Sequence, residues 1–146
     1  MLHHSSLNIN PIREQELLRI LPCIPRASSF QLHWKHLNIA YYHLPSVDCP
    51  EHTLSKHVIS LNLGRSVRLE RTIDHQVESD RFSEGDILCI NPAGLYRTIR
   101  VSDPSQILHL YLEPEFVSHW KDAAASGWIQ SIKATSCDRL YPRSSR

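Results

Sequence analysis

Ten histidines and four cysteines stand in a chain of 146 residues, and these are the side chains from which chemistry would start. Imidazole is a ligand for zinc, iron and manganese, and several rings must converge to hold such an ion. The histidines that folding could bring together are His43, His52, His57 and His109. The expectation is that they are solvated or satisfied in the core, with no metal and no cofactor held. Cys23, Cys49, Cys89 and Cys137 lie far apart without a C-x-x-C pair, so neither a zinc knuckle nor a dithiol redox site is suggested. Cys89 has apolar neighbours and reads as a small hydrophobe. There is no G-x-S-x-G, and the four glycines form no phosphate-cradling loop. No catalytic residue is therefore assigned.

The elements that would position these residues change character along the chain. Residues 11–21, PIREQELLRIL, form a helix candidate: Pro11 suits a first turn, and Pro22 and Pro25 end it. From Phe30 to Leu112 the pattern is period-two alternation broken by turn residues, as in LNIAYYHL, HVISLNLG, VRLERTI, DILCIN, LYRTIRV and ILHLYLE. Asp74-His75 reads as a turn into a return strand near Gln76–Ser79. Six or seven short strands with no helices between them exclude a parallel α/β sheet and point to a barrel or sandwich. After Glu113-Pro114 the spacing becomes helical, with Phe116 and Trp120 one turn apart and Ser126-Gly127 as a stop.

The order of these blocks resembles a known family. GDILCINPAG, read with the flanking RFSE and LYRTIR, is similar to the second motif of the cupin superfamily, in which a glycine, a P-x-G corner and a metal-binding histidine follow one another. Within that superfamily the chain resembles the N-terminal sensor domain of AraC-type transcriptional regulators. The stretches that carry the likeness are YYHLPSVDCPEHTLSKHVISLNLG, RFSEGDILCINPAGLYRTIR and ILHLYLEPEFV, within residues 28–120. The resemblance implies a mainly β fold: a cupin-like antiparallel β-barrel (double-stranded β-helix) with a short N-terminal helix and a C-terminal helix. The expected divisions are an arm and helix over 1–27, the barrel over 28–114, a helix over 115–128 and a poorly ordered tail over 129–146. Family members continue into two helix-turn-helix motifs, and the residues after the last strand supply none. The implied function is ligand sensing and dimerisation, truncated before the DNA-binding half; the alternative is a stand-alone metal-dependent isomerase or dioxygenase.

The departure from the cupin pattern bears on that choice. Six residues rather than five separate Gly85 from Pro92, and Arg97 stands where the metal-binding histidine is expected. An arginine keeps its proton at working pH and repels a cation. Small β-barrels either fill their interior or enclose one ligand, and the candidates for its lining are Tyr41, His43, His57, Ser60, Asn62, Arg97, His109 and Tyr111. Arg97 has two readings, a bidentate partner for a carboxylate or phosphate and an exposed strand residue beside a turn. His57 and His109 likewise read either as ligand contacts or as hydrogen-bonded core histidines. Periodicity leaves open which face of each strand is inside, because both carry apolar residues. Phe116 and Trp120 offer an apolar stripe to the barrel wall or to a partner helix.

Charge and composition narrow the partners. A formal net charge of +1 argues against a dedicated polyanion binder, so no direct DNA binding is expected of this chain. No signal peptide or bilayer-length apolar run is read, and the expectation is a cytoplasmic chain without membrane contact. The partners expected are an unknown small-molecule effector and a second copy or a full-length relative.

Overall fold

The computed structural model describes residues 7–123, with residues 120–123 described as backbone only. Its elements in chain order are β1 (Leu7–Ile9), α1 (Glu14–Leu17), β2 (Ala27–Ser28), β3 (Leu37–Leu44), β4 (Val47–Leu54), β5 (His57–Asn62), β6 (Val67–Ile73), β7 (Gln76–Phe82), β8 (Ile87–Asn91), β9 (Arg97–Val101), β10 (Ser105–Leu112) and α2 (Pro114–Ala123). The strands form two five-stranded sheets, ordered β1-β4-β9-β6-β7 and β2-β3-β10-β5-β8. Apart from the parallel pair β1–β4, every pairing is antiparallel.

Strands β3 to β10 alternate between the sheets except at the β6–β7 hairpin. That order is a double-sheet jelly roll, the architecture of cupins. The fold is therefore mainly β and a cupin-like barrel. Sheet-to-sheet burial explains the alternation along each strand. On β3 the inward row is Asn38, Ala40, Tyr42 and Leu44, all buried. On β10 it is Ser105, Ile107, His109 and Tyr111. The two rows meet Val58, Leu88, Val67 and Val101 to form one apolar core.

Turn chemistry sets the corners. Asp74 and His75 both take positive φ, 51° and 64°, the type I′ geometry that a two-residue hairpin between Ile73 and Gln76 requires. Gly85 and Gly94 adopt φ of +89° and +83°, which a side chain would strain.

The N-terminal region departs from expectation. The helix expected over 11–21 is a single turn, Glu14–Leu17, followed by irregular turns through Leu21. A four-residue helix cannot persist on local bonds, and it is held by tertiary contacts: Leu17 is fully buried and the Glu16 carboxylate accepts the Asn10 N–H at 2.8 Å. Strand β1 joins one sheet and β2 the other, so the chain between them passes across one end of the barrel. At the other terminus, residues 124–128 of the expected helix and the tail over 129–146 lie outside the described residues. No described helix is long and apolar enough to cross a membrane.

Candidate functional site

Between the sheets lies a cavity of about 60 Å³. One sheet contributes Cys49, His52, Leu69, Arg97 and Val101, and the other Val58, Ser60, Leu88, Ile107, His109 and Tyr111. Leu17, Ile20 and Leu21 form the end wall.

Among the described residues Arg97 is the charged one on this wall, and it is 2% exposed. It begins β9, directly after the Pro92–Gly94 corner, and pairs in register with His52 of β4, so both side chains project from the same face of their sheet. Its Nη1 donates to the Leu95 carbonyl at 3.0 Å, while its Nε has no hydrogen-bond partner. Burial lowers its pKa to about 10, which leaves the guanidinium charged at neutral pH. Among the described residues no aspartate or glutamate lines the cavity. The nearby acidic protons stay in place: burial pushes the Cys49 thiol up to about 11, raises that of Cys89 and raises the Tyr111 phenol. The contrast is Arg71, whose Nη2 meets Glu78 at 2.7 Å and whose Nη1 reaches the Asn91 side chain at 2.6 Å.

The two histidines of the cavity are held neutral. His52, 2% exposed, is lowered to about 4 by burial and then by the Arg97 charge. Its Nδ1–H donates to the Pro50 carbonyl at 2.7 Å, so Nε2 carries the lone pair. His109 falls to about 3, again through burial and then Arg97. By accessible surface His109 is only half-buried; it lies on the inward row of β10, so that surface fronts the cavity. Its Nδ1 lies 2.7 Å from the Tyr111 hydroxyl, itself 3.0 Å from that of Tyr42.

Of the candidates drawn from sequence, Arg97, His109, Tyr111 and Ser60 are brought together on this wall. Tyr41 and His43 are placed on the outer face of β3, with Tyr41 Oη 2.8 Å from His43 Nε2, and His43 borders an open groove at the barrel rim. The two faces of β3 alternate as the sequence spacing predicts, with Ala40 and Tyr42 taking the interior and Ile39 and Tyr41 the outer face. His57 is half-buried and its Nδ1 accepts the Ala93 N–H at 2.9 Å, which pins the Pro92–Gly94 corner. Asn62 is fully buried but its amide donates to the Arg65 and Phe82 carbonyls and accepts from Gly64; it builds the β5 turn. Phe116 stacks on His36 with ring centroids 4.7 Å apart, against the barrel, while the side chain of Trp120 lies outside the described residues.

Sequence reasoning missed His52 as a cavity residue, and Leu17, Ile20 and Leu21 as its end wall. The signal for His52 is hidden by a shift of register between Cys49 and His52, which sequence spacing does not show.

The residues do not fit a divalent cation. His52 and His109 share the cavity while His43 and His57 do not line it, and among the described residues no group of three His, Cys, Asp or Glu side chains could hold a metal ion. A fixed guanidinium beside His52 and His109 opposes a cation there.

The chain matches no protein-family model, and no curated protein matches it. Among solved structures it is similar to a cupin domain from Bordetella pertussis, at 9% identity and TM-score 0.46, covering 57% of this chain and 88% of that one. A cupin superfamily protein from Desulfitobacterium hafniense gives 17% identity and TM-score 0.44, covering 56% and 71%. A variant oxalate decarboxylase from Bacillus subtilis gives 16% and 0.44, with 65% of this chain on 30% of that one. The fold assignment rests on the strand order.

Proposed function

We propose that the chain is a ligand-sensing and dimerising domain of the AraC type, in which a small molecule enters the barrel and biases the N-terminal segment. The observation that carries this reading is the construction of the cavity: a charged Arg97 on its wall, and Leu17, Ile20 and Leu21 closing its end. Arg97 occupies the position where a metal-using cupin would offer histidine, which favours binding over metal-assisted catalysis. The segment around α1 is held by a few buried side chains rather than by a long helix. It is an element whose contacts a ligand can tighten or loosen, and a sensor works by such a bias between two arrangements.

A thermal-shift screen of sugars, amino acids and organic acids tests this. Compounds that raise Tm should slow hydrogen exchange at the amides of Arg19, Ile20 and Leu21, which bond to the α1 turn. Bound compounds that leave those amides unchanged would contradict the reading.

A further inference from the structure

We propose that the cavity takes a short aliphatic monocarboxylate, with its carboxylate on the Nε edge of Arg97 and its alkyl tail among Leu54, Val58, Leu88 and Ile107. This deepens the sensor reading above and rests on it.

Three observations fix the class. The first is charge. Arg97 is a cation, 2% exposed, with an orphaned Nε and, among the described residues, no carboxylate on the surrounding wall. A buried charge demands a partner, and the guanidinium edge matches a carboxylate in two parallel hydrogen bonds. The neutral thiols of Cys49 and Cys89 do not supply that partner. The second is size. A cavity of about 60 Å³ holds roughly four to six water-sized groups. That admits acetate, propionate or butyrate and excludes a sugar or a nucleotide. The third is the wall. Away from Arg97, His52 and His109 it is mostly aliphatic, and its other polar side chains, Ser60, Asn91 and Tyr111, are already hydrogen-bonded to neighbours. That suits an alkyl tail better than the additional oxygens of a phosphate or sulfate.

The test is calorimetric titration of the full chain with propionate, propionamide, octanoate and inorganic phosphate, with Arg97→Met as the paired variant. Propionate should bind and raise Tm, and propionamide should bind about ten- to hundredfold more weakly, the range for losing charge-assisted hydrogen bonds. Octanoate should bind more weakly than propionate because the cavity ends. Arg97→Met, checked for folding by its own melting curve, should lose the propionate response. Equal binding of propionamide, or tighter binding of octanoate or phosphate, would overturn the proposal without needing the variant. If propionate fails while another compound still protects residues 19–21 from exchange, the carboxylate assignment falls and the sensor reading survives.

Discussion

Holding the Arg97 guanidinium among aliphatic side chains, with the Leu95 carbonyl as acceptor and Nε unpaired, costs free energy that an apolar side chain of similar length would not incur. Replacing buried charge by well-packed apolar groups is often neutral or stabilising. Arg97→Met is therefore expected to unfold in urea with a stability equal to the parent or higher by about 1 kcal/mol; a loss beyond about 2 kcal/mol would show that Arg97 is a structural keystone. The same burial makes the barrel acid-sensitive. His52 and His109 have folded pKa values of about 4 and about 3, below the ordinary 6.5, so the folded state binds fewer protons than the unfolded one. Their contribution is present above pH 6.5 and is lost as pH falls toward 4 and 3. For His52 this amounts to about 3 kcal/mol. Urea melts from pH 7.5 to 4 should show the decline, and His52→Gln should flatten it; a pH-independent midpoint would contradict the neutral, buried state.

At the scale of elements, the strands were legible because period-two alternation survives in LNIAYYHL, VRLERTI and ILHLYLE. The inward face was not, because Ile39 and Tyr41 are as apolar as Ala40 and Tyr42, and only the opposing sheet decides between them. Asp74-His75 was legible as a turn, and the structure adds that His75 sits at φ 64°, where a side chain costs backbone strain. His75→Gly is expected to raise stability by about 0.5 kcal/mol in chemical denaturation, with activity-independent readout; a destabilisation would mean that the imidazole makes a compensating contact. The Pro92–Gly94 corner combines a glycine at φ +83° with the Ala93 N–H held by His57. That corner delivers Arg97 into the barrel, so His57 positions the site without touching the cavity.

Across the whole molecule, the jelly-roll order β3-β10-β5-β8 over β4-β9-β6-β7 encloses a small space, and one end of it is stopped by the chain between β1 and β2. That closure was not legible: residues 11–21 look like a free amphipathic helix, and only the crossing from one sheet to the other shows Leu17, Ile20 and Leu21 to be wall. What was legible at this scale is an arginine, Arg97, at the position where the cupin pattern leads one to expect histidine; under the proposed reading, that position sets an anion-binding barrel apart from a metal-using one. The measurement that bears on this most directly is the metal inventory of the purified chain after growth with iron, manganese and zinc supplied. Far less than one ion of any kind per chain is expected, with a melting temperature unmoved by chelator. One tightly held iron, manganese or zinc per chain, with a Tm that falls when it is stripped, would contradict it.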